Sequence, residues 1–241
     1  VRSGEVRVNG RRATPAQRLA TGDRVRIPPY TPALPSSTPR IGQQVLARIE
    51  AAILFEDARV LVLDKPAGIA VHGGSGLDYG LIDVVRALRP EGGRIDLVHR
   101  LDRETSGCLL FARDPLTLRT LNARLRDGEM HKAYGAAART EFRVRQRYAG
   151  ATLSAVKLDT GRTHQIRAHA AHLGHPVGGD ERYGDEAFNR DLRALGLRRL
   201  FLHAEKLTFT LDRPMTFTAP LPAELAAVLA RLGPADPRPM T

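Results

Sequence analysis

The chain has 241 residues and a formal net charge of +11, and 42% of its residues are hydrophobic. This length allows one large domain or two smaller ones, and the hydrophobic fraction excludes a chain that is disordered throughout. The excess of positive charge indicates a polyanionic partner, for which nucleic acid is the first candidate. The single cysteine, Cys108, excludes an internal disulfide and fits a reducing compartment such as the cytoplasm. No stretch approaches the roughly 18 apolar residues of a membrane-spanning helix.

Residues 1–29 predict a small β unit. Val6 and Val8 alternate with polar residues, and the pair Asn9-Gly10 that follows is a strong signal for a hairpin turn. The unit has too few apolar residues for a core of its own. Residues 30–40 are rich in proline, which predicts a linker. We therefore expect residues 41–241 to form the main globular domain.

From residue 41 onward, the spacing of apolar residues predicts both helices and strands. Helices are predicted in LIDVVRALRP, PLTLRTLNARLRDGEM, THQIRAHAAHLG and PAELAAVLARLG, and QQVLARIEAAILFED starts with helical spacing and ends apolar. Strands are predicted in RVLVLDKPAG, LVHRLD, GCLLFARD, HKAYGAAAR, TEFRVRQRYAGATLSAVKL and LFLHAEKLTFTL. Because strands come in groups with helices between them, we predict an α+β fold with a mixed, mainly antiparallel sheet and flanking helices.

Asp102 lies between two arginines in the stretch HRLDRETSG. The flanking guanidinium groups of Arg100 and Arg103 favour its ionised form. An ionised carboxylate suits a nucleophile or an electrostatic stabiliser better than a general acid. A structural ion pair at the surface is the alternative, and spacing alone favours it.

A second cluster of polar residues lies in TGRTHQIRAHAAHLGHPVGGDERYG, residues 160–184. Its four histidines within twelve positions suggest a metal site, but their spacing completes no known ligand set. Structural or RNA-contacting histidines are the preferred interpretation. Arg162 and Arg167, near a helix start, could hold phosphate or pair with a buried carboxylate.

Tyr134, in HKAYGAAAR, is the third candidate. A lone tyrosine on a strand usually belongs to the core or its rim. Beside Lys132 and Arg139, however, its ring could stack on a base while the cations hold the backbone. The Gly-rich stretch VHGGSG lacks the pattern of a nucleotide-triphosphate loop, so the sequence does not support such a site.

Together these motifs resemble the family of ribosomal-RNA pseudouridine synthases typified by RluA, RluC and RluD. HRLDRETSG is similar to the signature around the family's catalytic aspartate. The other blocks come in the family's order: ILFEDARVLVLDKPAGIAVHGGSG before it, then KAYGA, TGRTHQIRAH, GHPVGGDERYG and LFLHAEKLTF. The resemblance covers roughly residues 50–220 and is closest to the RluC branch. Residues 1–29 resemble the later part of an S4-type RNA-binding domain.

The resemblance implies isomerisation of uridine to pseudouridine in large-subunit (23S) ribosomal RNA, with no metal or other cofactor. The base would leave C1′ through N1, turn, and rejoin through C5. Asp102 would be the essential carboxylate, attacking C1′ or removing the C2′ proton; both alternatives stay open. The protein would act in the cytoplasm as a monomer.

The resemblance also assigns roles to other residues. Tyr134 would stack on the target base, Arg167 would pair with Asp102, and Arg100 would help to push the base from its stack. Ile166 and Leu202 would form apolar walls. The remaining candidates for RNA contact are His99, Arg103, Arg162 and His164.

The chain departs from the family pattern in two places. The S4-like part lacks its leading helical half, and some thirty residues that usually separate KAYGAAAR from TEFRVRQRY are missing. Two other functions compete with the enzyme hypothesis. One is a non-catalytic RNA-binding protein for ribosome assembly, which would explain the charge but not the catalytic motifs. The other is a histidine-rich metallohydrolase.

Overall fold

A computed structural model describes residues 6–14, 17–27, 41–73, 78–127, 138–158, 161–233 and 235. The chain divides into two compact units, Val1–Arg40 and Ile41–Thr241. Among the helices of these described residues, none is long and apolar enough to cross a membrane.

The first unit contains a small antiparallel sheet. Its strands are β1 (Arg7–Val8), β2 (Arg11–Arg12) and β3 (Val25–Arg26), in the order β2-β1-β3. Asn9 and Gly10 connect β1 to β2 with φ angles of 50° and 82°, as a two-residue hairpin turn requires. This confirms the predicted turn. Val8 and Ala13 are the buried apolar residues of its described part, so the unit has little core.

The second unit contains six helices and nine strands in its described residues. In chain order they are α1 (Gln43–Glu50), β4 (Ile53–Glu56), β5 (Val60–Lys65), α2 (Leu81–Leu88), β6 (Asp96–Leu97), β7 (Ser106–Ala112), α3 (Pro115–Asp127), β8 (Thr140–Tyr148), β9 (Ala151–Leu158), α4 (Gln165–His172), α5 (Glu186–Ala194), β10 (His203–Ala204), β11 (Lys206–Thr210), β12 (Pro214–Thr218) and α6 (Ala223–Arg231).

The main sheet has the order β10-β7-β5-β4, and β6 also pairs with β7. Strand β10 runs parallel to β7, whereas the other neighbours are antiparallel. Two separate hairpins, β8–β9 and β11–β12, are also antiparallel. The mixed, mainly antiparallel sheet and its flanking helices confirm the predicted α+β class.

Apolar side chains pack on both faces of the main sheet, which explains why β5 is a continuous apolar run. Leu61 and Leu63 contribute to a core with helices α1 and α2. Val60 and Val62 point to the opposite face, into a core with α3 and the β11–β12 hairpin. The alternation follows from the two-residue period of a strand. The central strands are therefore anchored on both sides and can support a loop at their ends.

The predicted strand LVHRLD is wrong beyond Leu97. Strand β6 pairs with β7 only through Asp96 and Leu97. One residue later, the Val98 amide still donates to the carbonyl oxygen of Leu110, after which the chain leaves the sheet. The composition of a segment shows that it could form a strand. It does not show whether the segment pairs with a neighbouring strand or leaves the sheet.

Three elements were not predicted as such: strand β4, helix α5 and strand β12. Helix α5 has only two buried side chains, Asn189 and Leu192, so the sequence shows no broad apolar stripe. Its start is stabilised by Asp185, whose carboxylate accepts a hydrogen bond from the Phe188 amide at 2.7 Å. Strand β12 completes a hairpin with β11. The predicted strand HKAYGAAAR lies mostly outside the described residues.

Candidate active site

Asp102 lies in the connection between β6 and β7, and backbone hydrogen bonds fix its turn. The Thr105 amide donates to the Asp102 carbonyl oxygen at 3.1 Å. The segment after β5 contacts the same turn: the Gly68 amide and Lys65 Nζ donate to the Arg103 carbonyl oxygen at 2.9 and 3.0 Å. The end of β5 and the residues that follow it therefore support the turn that carries the candidate catalytic residue.

Lys65 is a buried basic residue that contacts the turn of Asp102. Its side chain is fully buried, and Nζ also donates to the Pro66 carbonyl oxygen at 2.9 Å. Burial lowers the pKa of Lys65 to about 8, an effect that the negative charges of Glu104 and Asp102 partly oppose. The sequence analysis did not identify Lys65 as part of the site, because its contact with the turn spans 38 positions of sequence.

The Asp102 carboxylate faces the start of helix α4. Arg167 Nη1 donates to Asp102 Oδ2 at 3.3 Å, and His164 Nε2 lies 3.8 Å from the same oxygen. His164 precedes α4 with a left-handed φ of 55°, which is uncommon for a residue other than glycine. Asp102 Oδ1 accepts no hydrogen bond from any residue in the described part of the chain. Within the described ranges, one carboxylate oxygen is thus held and the other accepts no hydrogen bond.

Arg167 binds a second acid more closely than it binds Asp102. Its Nε and Nη2 donate to the two oxygens of Asp180 at 2.7 and 2.8 Å, a bidentate geometry. The Asp180 carboxylate is fully buried and also accepts the amides of Arg182 and Tyr183 at 2.9 and 3.0 Å. Burial alone would raise the pKa of Asp180, but these hydrogen bonds lower it to about 2. Arg167 therefore has two carboxylate partners, and the expected one, Asp102, makes the weaker contact.

Tyr183 completes the surroundings of Arg167. The Arg167 guanidinium lies 5.4 Å from the centre of the Tyr183 ring, and that of Arg182 lies 5.3 Å from it. The His164 ring meets the same ring edge-on, at 5.8 Å. Asp180 and Tyr183 were not predicted as site residues, although both stand in the block GHPVGGDERYG. The available signal was an Asp directly after the pair Gly178-Gly179.

The other predicted RNA-contacting residues lie at the rim or in the walls. Arg100 and Arg162 are exposed, and within the described ranges neither guanidinium has a hydrogen-bond or ionic partner. Arg103 is exposed and donates through Nε to the Gly68 carbonyl oxygen at 3.0 Å. Ile166 and Leu202 are partly buried. Tyr134 lies outside the described residues.

His99, a candidate for RNA contact, hydrogen-bonds the backbone of β7. Its Nε2 accepts the Leu110 amide at 3.2 Å, on the edge of β7 between its pairings with β6 and β10. Burial lowers the pKa of His99 to about 4, so the ring is neutral at pH 7 and can act as an acceptor. The His99 ring therefore accepts the Leu110 amide at a position of β7 that neither β6 nor β10 pairs with. The ring makes no contact with Asp102 in the described part of the chain.

The histidines do not form a metal centre. Across the ranges that the structure describes, no three His, Cys, Asp or Glu residues are grouped so that they could hold a metal ion. His169 hydrogen-bonds Thr140 Oγ1 through Nδ1 at 2.8 Å, and His164 faces Asp102. These contacts give two of the four clustered histidines a role without metal.

Comparison with known proteins identifies the class to which this fold and site belong. The sequence profile of the RNA pseudouridylate synthase family matches residues 59–139, which include Asp102. This chain belongs to that family, and it is accordingly an RNA pseudouridine synthase, an isomerase.

Individual relatives narrow the class. The chain is similar to ribosomal large subunit pseudouridine synthase C of Haemophilus influenzae, with 41% identity over 273 residues, covering 96% of this chain and 84% of the relative. It is 42% identical over 276 residues to the protein of the same name from Escherichia coli K12, covering 96% of this chain and 86% of the relative. Both alignments are longer than this chain, so each relative has insertions relative to it.

Two solved human structures have a similar fold. RNA pseudouridylate synthase domain containing 4 has a TM-score of 0.60 at 21% identity, over 78% of this chain and 95% of that one. RNA pseudouridylate synthase domain containing 1 has a TM-score of 0.56 at 24% identity, over 73% and 86%. At these identities the likeness concerns the fold alone.

Proposed function

We propose that this protein isomerises uridines of large-subunit ribosomal RNA to pseudouridine, and that Asp102 is its essential carboxylate. The RNA class rests on the names of the relatives, which align with nearly the whole chain. The role of Asp102 rests on one observation: Oδ2 is held by Arg167, while Oδ1 accepts no hydrogen bond from the described residues.

This arrangement suits either chemical alternative for the carboxylate. To attack C1′ or to remove the C2′ proton, Asp102 must be ionised and must present one oxygen to the ribose. Arg167 supplies a permanent positive charge beside it. Because Asp180 orients the guanidinium with two hydrogen bonds, Arg167 is in place before the RNA binds. The base can then leave C1′ through N1, turn, and rejoin through C5.

The target base must leave its stack to reach Asp102. Extraction of a base costs a few kcal/mol, which contacts with the enzyme have to offset. Arg100 is exposed two residues before Asp102 and is the candidate to fill the gap. Arg103, Arg162 and His164 would hold the backbone, with Ile166 and Leu202 as walls of the pocket. Tyr134 would stack on the base.

The first unit offers a separate positive surface. Arg7 on β1 is directly opposite Arg12 on β2 and Arg26 on β3, so three arginines form one cross-strand row. Like charges in such a row repel one another, and a polyanion would relieve this repulsion. The row supports an S4-like RNA-binding unit in residues 1–29. In the proposed organisation, a linker in 30–40 and the catalytic domain in 41–241 follow this unit.

The cellular setting follows from the same proposal. The enzyme would act in the cytoplasm, since the single cysteine fits a reducing compartment. It would use no metal, since uridine isomerisation involves no net redox change or hydrolysis. It would act as a monomer.

The decisive experiment compares the wild type with Asp102→Asn on transcribed large-subunit RNA labelled with tritium at uridine C5. Isomerisation releases this label to water. We expect release by the variant to fall to background, while RNA binding stays within about two-fold of the wild type, since Asn keeps the size of the side chain. Asp185→Asn is the matched control, because Asn caps a helix as well as Asp does. Release by Asp102→Asn at near the wild-type rate would refute the assignment. Binding without release by the wild type would favour a role in assembly.

A further inference from the structure

The segment 199–204 contacts both loops that carry the acids around Arg167. On one side, the Ser106 amide donates to the Leu202 carbonyl oxygen at 3.3 Å, and β10 then pairs with the start of β7. On the other side, the Phe201 amide donates to the Gly178 carbonyl oxygen at 2.8 Å. This short segment thus joins the turn after Asp102 to the loop that precedes Asp180.

Arg199 begins this segment, and its guanidinium binds the Asp102 side. Nη2 donates to Ser106 Oγ at 3.1 Å, and Nη1 donates to the Leu200 carbonyl oxygen at 3.2 Å and, more weakly, to that of Glu104 at 3.5 Å. The side chain is 10% exposed. Its charge is paired with Glu224 of α6, whose Oε1 accepts from both Nε and Nη2 at 3.1 Å. The guanidinium is therefore fixed by contacts from several directions.

The backbone of Arg199 is pressed against the Asp180 side. A Cβ atom placed on Gly179 would lie 2.1 Å from the Arg199 carbonyl oxygen, so only glycine fits there. Gly179 also has a φ of 74°, which favours glycine independently. Gly179 immediately precedes Asp180. A shift of Arg199 would therefore displace the loop that anchors Arg167.

We propose that Arg199 is a positioning residue for the isomerisation. It fixes the turn of Asp102 relative to the loop of Asp180 and thereby sets the distance from Asp102 to Arg167. This inference rests on the proposed catalytic role of Asp102. The Asp102–Arg167 contact is a single hydrogen bond of 3.3 Å, which a small displacement of either loop would break. Misplacement of a catalytic group by about 1 Å can cost about 100-fold in rate.

The test measures kcat, KM and thermal unfolding for Arg199→Met on the same RNA, with Arg198→Met as the matched control. Arg198 is the adjacent residue, and its guanidinium donates to carbonyl oxygens at the end of α5 and beyond. We expect Arg199→Met to lower kcat by about 10-fold or more with KM within about two-fold of the wild type. Arg198→Met should leave both constants unchanged. Unchanged kcat, or a rise in KM alone, would overturn the proposal, since these results indicate a purely structural role or an RNA contact.

Ser106→Ala provides an independent variant, because it removes the side-chain acceptor of Arg199 on the Asp102 side and keeps the pair with Glu224. It also removes the contact of Ser106 Oγ with His203 Nδ1 at 2.9 Å. We expect kcat to fall by about three- to ten-fold with unchanged KM. The double variant should have the kcat of Arg199→Met, because Ser106 Oγ contributes to this positioning through its hydrogen bond with Arg199, which is already lost in that variant. Losses that multiply would contradict the proposal. If Arg199→Met does not fold, Ser106→Ala decides alone, and unchanged kcat overturns the proposal. Activity of Asp102→Asn reports separately on the catalytic assignment.

Discussion

Arg167 donates two hydrogen bonds to the buried carboxylate of Asp180 and only one, longer bond to Asp102. The guanidinium is therefore oriented mainly by Asp180, which is shielded from solvent, and less by Asp102. Such an arrangement would keep the positive charge in place during the reaction proposed for Asp102. The pair with Asp180 therefore helps to determine the geometry of the site, together with the pair with Asp102.

Asp180→Asn tests this dependence. Asn keeps the shape of the side chain but removes the charge and one acceptor of the bidentate pair. We expect kcat to fall at least about 10-fold, and the free energy of unfolding to fall by about 3 to 5 kcal/mol because Arg167 loses its buried partner. Steady-state kinetics and urea unfolding measure the two effects, with Asp185→Asn as control. A stable variant with unchanged kcat would show that Arg167 needs no such anchor.

His99→Gln tests the unusual strand partner. Burial lowers the pKa of His99 to about 4 in the folded protein, against 6.5 for an ordinary histidine. Below pH 6.5 the unfolded chain binds a proton that the folded protein does not, so stability should fall as pH falls from 6.5 to 4, by at most about 3 kcal/mol. Gln can still accept the Leu110 amide but does not titrate. Urea unfolding should give a flatter pH dependence for the variant in this range; parallel curves would contradict the prediction.

Gly107→Ala tests the tight contact between β7 and β10. A Cβ atom at Gly107, where φ is 109°, would lie 2.4 Å from the Ala204 carbonyl oxygen. We expect a loss of more than about 3 kcal/mol, since both backbone strain and a clash with backbone oppose the substitution. Gly150→Ala is the matched control, because φ is 72° there but no atom lies within 4 Å of the added Cβ. That variant should lose only about 1 to 2 kcal/mol. Equal losses in thermal unfolding would indicate that strain alone acts.

Arg12→Gln tests the row of arginines in the first unit. If the row binds phosphate, the variant should weaken RNA binding and reduce the slope of log K against log salt concentration by about 1. Arg11→Gln is the matched control, because alternation places Arg11 on the other face of β2, opposite Val8. Filter binding at several salt concentrations measures both slopes. Equal effects of the two substitutions would argue against a specific row.

Local patterns in the sequence were sufficient for much of the fold and for part of the site. The apolar run of β5 and the periodic pattern of α2 predicted the elements that the structure contains. The HRLDRETSG block pointed to Asp102, and the THQIRAH block to Arg167 and His164, which the structure brings together. Each of these signals is local, because neighbouring residues in a strand, a helix or a motif carry it.

What surrounds Asp102 was decided only by tertiary structure. The structure places Asp180, Tyr183 and Lys65 near Asp102 and Arg167, and it places the His99 ring against the Leu110 amide of β7. The partners of Arg167 illustrate the reason: Asp180 is 13 positions away, and Asp102 is 65. No periodicity along the chain encodes such pairings, because they arise where separate loops pack against one sheet. The sequence by itself determined the class of enzyme and its candidate acid, and folding determined which charges hold that acid in place.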